Sequence, residues 1–120
     1  MAKKILVVDD AMFMRKLLCD IVVKAGYEVI AEAGNGEEAY HKYKEFLPDL
    51  VTMDITMPEV TGIEGATKIM QEFPNAKILM VSAMGQESMV IDSVKAGAKG
   101  FIVKPFVADK VIFEIQKLIG

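Results

Sequence analysis

The feature that most constrains this chain is a regular alternation of two sequence patterns. Short runs rich in β-branched residues recur along the chain, and each run predicts a β-strand. The runs are Ile5–Val8, Glu28–Ala33, Leu50–Met53, Ile78–Val81 and Phe101–Val103. The longer stretches between them repeat apolar residues every three or four positions, which predicts amphipathic helices. This alternation predicts repeated βα units around a parallel sheet that is covered on both faces.

Five helices are predicted in the stretches that follow the strands. They span Met12–Ala25, Glu37–Phe46, Ile63–Glu72, Gln86–Ala96 and Ala108–Ile119. Residues that stop helices stand at several of their ends. Gly26 and Gly97 follow the first and fourth helices, and Pro48 comes shortly after the second.

The composition of the strands predicts their order in the sheet. The first, third and fourth runs are almost entirely apolar, as expected for central strands of a parallel sheet. The second run alternates, with Glu28 and Glu32 facing outward against Val29 and Ala31, which is typical of an edge strand. With right-handed crossovers, we predict a doubly wound, flavodoxin-like (βα)5 sandwich of α/β class. Its five-stranded parallel sheet has the order 2-1-3-4-5.

Size and composition predict one domain across residues 1–120. The chain is 52% hydrophobic and 26% charged, and its net charge of −3 offers no electrostatic footprint for nucleic acid. The single cysteine, Cys19, cannot form an internal disulfide, which suits a reducing compartment. The apolar run behind the N-terminal lysines stops at Asp9, too early for a signal peptide or a membrane span. We therefore predict a cytoplasmic protein with no nucleic-acid or membrane partner.

Polar residues stand where four of the predicted strands end. Asp9 and Asp10 follow the first strand, Asp54 the third, Ser82 the fourth and Lys104 the fifth. An isolated aspartate in such a place is usually a turn or capping residue. In a doubly wound sheet, however, the carboxyl ends of the strands meet at one edge, where ligands bind. The convergence of all these side chains on that edge predicts a functional site.

The residue types at this edge indicate phosphoryl chemistry. Clustered carboxylates repel one another, and a hard divalent cation relieves that repulsion. Mg²⁺ suits the site because it binds one or two carboxylates and keeps waters or a phosphate oxygen as its other ligands. A carboxylate can also attack phosphorus and form an acyl phosphate. We predict Asp54 as that nucleophile, with Lys104 and Ser82 contacting the phosphoryl oxygens.

Several motifs, taken together and in order, carry a resemblance to a known family. They are Ile5–Asp10, Leu50–Pro58 with Gly62 shortly after, Ser82–Gln86, Ala96–Lys99 and Phe101–Phe106. Along its whole length the chain resembles the receiver domain of two-component response regulators, and in particular stand-alone chemotaxis regulators of the CheY type. Each motif alone is moderately specific, but the ordered set is very specific.

The resemblance implies a role for each residue of the site. Asp54 would be the phosphoacceptor and would ligate Mg²⁺ together with Asp10 and the main-chain carbonyl of Thr56. Asp9 would contribute mainly through a bound water. Ser82 and Lys104 would bind the phosphoryl group, and the Lys104–Pro105 peptide bond would be cis.

The resemblance also implies a switch and its partners. The Ser82 hydroxyl would move toward the phosphoryl group, and Phe101 would follow it into the vacated space. The output surface would lie on the fourth helix, fifth strand and fifth helix, with Val90, Val94, Phe101 and Phe113 available to a partner. A CheA-like sensor histidine kinase would be the donor and the flagellar motor switch the target. A dedicated phosphatase would be a further partner, and the protein would act as a monomer.

Other functions fit the residues less well. Receiver domains also serve phosphorelays outside chemotaxis, and Phe101 replaces the tyrosine found in some chemotaxis regulators. A phosphohydrolase of the haloacid dehalogenase type also uses an aspartyl nucleophile, but it needs an acid/base aspartate where this chain has Thr56. A flavin-binding module would need a glycine-rich phosphate loop in place of Asp9 and Asp10. A receiver that has lost phosphorylation would not need the full polar set. We expect a signalling phosphoacceptor that assists its own phosphorylation and dephosphorylation, and not an enzyme.

Overall fold

The computed structural model describes residues 2–55, 57, 61–83 and 87–120, with Glu87 described by its backbone alone. Within these ranges, five strands and five helices alternate along the chain. They are β1 (Lys4–Val8), α1 (Met12–Lys24), β2 (Glu28–Ala33), α2 (Gly36–Phe46), β3 (Leu50–Asp54), α3 (Gly62–Glu72), β4 (Ile78–Ser82), α4 (Glu87–Lys95), β5 (Gly100–Val103) and α5 (Ala108–Ile119). None of the described helices is long and apolar enough to cross a membrane.

The strands form one parallel sheet with the order β2-β1-β3-β4-β5, which confirms the predicted fold. Every residue of β3 and β4 is buried, as expected for central strands of a sheet covered on both faces. The strand order reverses between β1 and β3, because β2 pairs with one side of β1 and the rest of the sheet grows from the other. The carboxyl ends of β1 and β3 therefore form the edge where a ligand site is expected.

Two apolar clusters lie on opposite faces of the sheet. Successive residues of β1 alternate between them, so Ile5 and Leu6 belong to different clusters. On one face the helices α1 and α5 supply the buried side chains of the α1–α5 cluster, Leu18, Val22, Val111 and Ile115. On the other face the helices α2 and α3 supply those of the α2–α3 cluster, Ala39, Tyr43, Ala66 and Ile69.

The edge strand β2 differs from the prediction in one respect. Its pairing with β1 shifts register, so that Ile5 opposes Val29 while Leu6 opposes Ala31, and Ile30 is left out of the ladder. Because a bulge reverses the direction of the following side chains, Val29 packs with the α1–α5 cluster and Ala31 with the α2–α3 cluster. The expectation that these two residues share one face is wrong, although β2 is the predicted edge.

Candidate functional site

Three carboxylates converge at the carboxyl ends of β1 and β3. Val8 and Met53 are in register on these neighbouring strands, so the residues that follow, Asp9 and Asp54, lie side by side. Together with Asp10 they present one oxygen each within 4.8 Å of one another. Asp9 and Asp54 are only 4% and 6% exposed, whereas Asp10 is open to solvent. The cluster combines buried charge with a solvent-facing entrance.

Lys104 supplies the positive charge of the site. Its Nζ lies 3.0 Å from Asp9 Oδ2 and 3.4 Å from Asp54 Oδ2. The chain enters this position from β5, where the Lys104 N–H donates to the carbonyl of Ser82 at 2.8 Å. The next peptide bond, Lys104–Pro105, is cis. The ammonium group is thus held between two carboxylates, closer to Asp9 than to Asp54.

The surroundings of Asp54 disfavour its ionised form. Burial raises the pKa of Asp54 from 3.8 to about 6, and the neighbouring charge of Asp9 adds to the rise while Lys104 opposes it. For Lys104, burial acts to lower the pKa, but its hydrogen bond to Asp9 and the charge of Asp54 outweigh burial and raise it. Lys104 therefore stays charged, and one ammonium only partly compensates three carboxylates.

The donor set fits a hard divalent cation. Carboxylate oxygens are preferred ligands of Mg²⁺, and the two positive charges of the ion would complete the neutralisation that Lys104 begins. Asp10 faces solvent and could accept a hydrated ion without rearrangement of the core. The main chain of Thr56, the remaining ligand implied by the resemblance, lies outside the described residues.

Ser82 and Phe101 follow from the sheet register. Asp54 opposes Val81 on β4, so Ser82 is the next residue after the one that pairs with Asp54, and the Ser82 side chain is buried. Phe101 on β5 opposes Met80 and is 45% exposed. The two residues implied in the switch thus lie on β4, which pairs with the strand of Asp54, and on β5, which pairs with β4.

The start of α3 lies directly against the main chain of Asp54. The Gly62 N–H donates to the carbonyl of Ile55 at 2.9 Å. A Cβ at Gly62 would lie 1.9 Å from the main-chain oxygen of Asp54, so only glycine allows this approach. Thr61 and Glu64 form a reciprocal capping box that fixes where the helix begins.

Sequence reasoning missed Arg15 on α1, which binds the main chain of the loop that carries Asp9 and Asp10. Its Nη1 donates to the main-chain oxygen of Asp9 at 2.6 Å, and its Nε donates to Glu32 Oε1 at 3.1 Å. The only signal in the sequence was an arginine about one turn into the helix that follows the aspartates. That pattern also fits an ordinary solvated helix residue.

An apolar groove of about 920 Å³ runs along α4, β5 and α5. Val94, Phe101 and Phe113, three of the residues expected at a partner surface, line it, and they are 57%, 45% and 61% exposed. Val90, the fourth, is half-buried against the α2–α3 cluster and is not among the groove residues. Val90 and Val94 are four residues apart and lie one turn apart on the same side of α4, but of the two only Val94 borders the groove.

Known proteins resemble this chain along nearly its whole length. Chemotaxis protein CheY of Bacillus subtilis is 60% identical over 120 residues, which cover 100% of both proteins. Chemotaxis protein CheY of Thermotoga maritima is 59% identical over 118 residues, which cover 98% of each. The crystal structure of the CheX-CheY-BeF3-Mg+2 complex from Borrelia burgdorferi contains a chain with a TM-score of 0.93 and 41% identity. That match covers 98% of this chain and 90% of the other.

The family comparison agrees with these relatives and with the geometry. The sequence model of the response regulator receiver domain matches residues 5–116, from β1 into α5. This span includes the three clustered aspartates, Ser82 and Lys104. The chain therefore belongs to the family of response regulator receiver domains.

Proposed function

We propose that this chain is a phosphorylation-activated chemotaxis response regulator, in which residues 1–120 act as one receiver domain in the cytoplasm. One observation carries the proposal: the buried carboxylate of Asp54 lies beside two further carboxylates and 3.4 Å from the Lys104 ammonium. Two relatives named chemotaxis protein CheY, about as long as this chain, support the biological setting.

The proposed reaction is phosphoryl transfer from a phosphohistidine of a CheA-like sensor histidine kinase. An Asp54 carboxylate oxygen attacks phosphorus and forms an O–P bond, while the N–P bond breaks and its electron pair remains on the imidazole nitrogen. Positioning and charge neutralisation supply most of the acceleration in such transfers. Lys104 contributes by exchanging its carboxylate contacts for a phosphoryl oxygen, and Ser82 by donating a hydrogen bond to another. The same contacts would assist dephosphorylation, in which a water oxygen attacks phosphorus, the P–O bond to Asp54 breaks, and inorganic phosphate leaves. In this way the protein assists its own phosphorylation and dephosphorylation.

Mg²⁺ is the proposed cofactor. Asp10, Asp54 and the main-chain carbonyl of Thr56 would hold it, with Asp9 acting mainly through a bound water. When bound, it would neutralise the carboxylates and attract the phosphoryl oxygens. The three clustered carboxylates support this assignment, as does the Mg²⁺ in the complex of the Borrelia relative.

The proposed output is a change of the groove formed by α4, β5 and α5. The Ser82 hydroxyl moves toward the new phosphoryl group, and the Phe101 ring turns inward, which alters the groove that it lines. The partner would be the flagellar motor switch protein, engaged by a monomer. A dedicated phosphatase would end the signal, and the complex between CheX and CheY in Borrelia supports a second binding protein.

Intact mass after incubation with acetyl phosphate and Mg²⁺ tests the phosphoacceptor. The wild-type protein should gain one phosphoryl group, and both Asp54→Ala and removal of the metal with EDTA should abolish the gain. An adduct that survives Asp54→Ala would refute the assignment. Sustained release of phosphate from a phosphomonoester would instead revive the phosphohydrolase interpretation.

Substitution of Phe113 tests the output groove. Phe113→Glu places a charge in an apolar surface and should weaken binding of the motor protein while leaving phosphorylation unchanged. Phe13→Glu is the matched control, since Phe13 on α1 is 76% exposed and does not line the groove. Unchanged affinity of phosphorylated Phe113→Glu would contradict the proposed surface.

A further inference from the structure

We propose that Arg15 is a positioning residue of the cation site, which it serves by fixing the loop that carries Asp9 and Asp10. The inference rests on the cation-binding role proposed above for those carboxylates. It concerns a side chain that contacts the main chain of Asp9 and the carboxylate of Glu32. Its contacts join the loop to the edge strand β2.

Two nitrogens of one guanidinium make the connection. Nη1 donates to the main-chain oxygen of Asp9 at 2.6 Å, and Nε donates to Glu32 Oε1 at 3.1 Å. The Arg15 side chain is 18% exposed, so its contacts are partly shielded from water. A guanidinium holds its donors in a rigid planar fork, so fixing one nitrogen on β2 also fixes the direction of the other.

The main chain of Asp9 is held on both sides. Its N–H donates to the carbonyl of Ala33 at 3.0 Å, and its carbonyl accepts from Arg15. Its side chain accepts the N–H of Ala11 at 2.9 Å. The Asp9 carbonyl belongs to the peptide group that joins Asp9 to Asp10, so the arginine fixes the plane of that peptide. Asp10 faces solvent, and the orientation of this peptide is therefore a principal constraint on its carboxylate.

Charge alone predicts the opposite effect from positioning. A guanidinium close to the acidic cluster repels a divalent cation, so its removal would tighten binding if electrostatics dominated. The partner carboxylate of Glu32 offsets that charge at 3.1 Å. Positioning predicts weaker binding, because the carboxylates would no longer be preorganised for the ion. The sign of the change in affinity thus separates the two roles.

The test is calorimetric titration of the full chain with Mg²⁺. Arg15→Met should raise the dissociation constant about tenfold, the scale expected when a residue that supports metal ligands is removed. Lys16→Met is the control, since it removes the same charge from an exposed neighbour on α1 and should leave the affinity unchanged or slightly tighter. Arg15→Lys keeps the charge but not the planar fork and should show an intermediate loss. Glu32→Gln preserves a hydrogen-bond acceptor and should alter the constant less than about twofold.

The outcomes separate this inference from the function on which it rests. Arg15→Met binding as tightly as wild type, or more tightly, would overturn the role of Arg15 while leaving the cation site intact. Wild-type protein that fails to bind Mg²⁺ would overturn the cation site and this inference with it. Urea unfolding of each variant without metal identifies any loss of folded protein. Arg15→Lys, which keeps the aliphatic stem and the charge, provides the second comparison if Arg15→Met is not folded.

Discussion

Replacing Gly62 with alanine tests how the fold holds Asp54, the proposed phosphoacceptor. A methyl group at Gly62 would lie 1.9 Å from the main-chain oxygen of Asp54, whereas a Cβ essentially never comes within 3.0 Å of another heavy atom. The start of α3 and the end of β3 must therefore separate by about 1 Å, a typical response to overpacking. The position of a Cβ is set by the backbone and the atom it meets is a main-chain oxygen, so no change of side-chain rotamer can relieve the clash.

This displacement should affect both stability and phosphorylation. Overpacking of a well-packed interior costs about 1–3 kcal/mol. A reacting group misplaced by about 1 Å loses roughly a hundredfold in rate. We therefore expect Gly62→Ala to lower the free energy of unfolding by about 2 kcal/mol and to slow phosphorylation by acetyl phosphate roughly a hundredfold. Urea unfolding and time-resolved intact mass measure the two effects on the same sample.

Gly65→Ala is the matched control on the same helix. Its Cβ would lie 2.7 Å from the Cα of Gly36 on α2, which is again a clash with backbone but one that lies away from Asp54. Gly65→Ala should lose stability and still accept phosphate at nearly the normal rate. The reasoning is refuted if Gly62→Ala reacts at the wild-type rate, or if both variants are slowed equally.

Three further substitutions probe the energetics of the chain. Burial raises the pKa of Asp54 from 3.8 to about 6, so the folded protein holds this proton more tightly than the unfolded chain does. The stability that Asp54 contributes is therefore greatest below pH 4 and is lost as the pH rises through 6. The free energy of unfolding of Asp54→Asn should therefore rise by on the order of 2–3 kcal/mol relative to wild type across this window. Parallel pH profiles of urea unfolding for the two proteins would contradict this. Thr52→Val should stabilise the protein by about 1 kcal/mol, since the buried Thr52 hydroxyl has no hydrogen-bond partner among the described residues; an unchanged urea midpoint would speak against it. Leu47→Gly should raise the free energy of unfolding by about 1 kcal/mol, and with it the melting temperature, because Leu47 caps the C-terminus of α2 with a φ of 46° and is 60% exposed. A lower melting temperature would show that the Leu47 side chain contributes more to stability than its backbone conformation costs.

The fold was predictable because each strand and helix has its own hydrophobic pattern in the sequence. Apolar runs on β3 and β4 and amphipathic spacing on the helices set the element order, and the parallel sheet follows from their alternation. The bulge at Ile30 was not predictable, since it depends on the register in which β2 pairs with β1. No local turn residue marks it, and alternation in the sequence suggests an unbroken strand.

The site was predictable as a set of strand ends but not as a network. The positions of Asp9, Asp54 and Lys104 at one edge follow from topology. The preference of Lys104 for Asp9 over Asp54 is a matter of tenths of an ångström, which only packing decides. Arg15 and Gly62 act through the main chain of the aspartates, and residue type alone does not reveal such contacts.

The topology of the sheet has a consequence for the synthesis of this protein. Asp54 is separated from Lys104 by 50 positions, and every strand pair of the sheet joins segments with at least one helix between them. A nascent chain that has emerged only through β4 carries the aspartates but not the ammonium that compensates them. Non-local pairing of this kind forms late in folding, because loop closure must precede it. The contact between Lys104 and the aspartates thus forms only when translation has passed β5, and a product truncated before β5 would keep the three carboxylates without their ammonium partner.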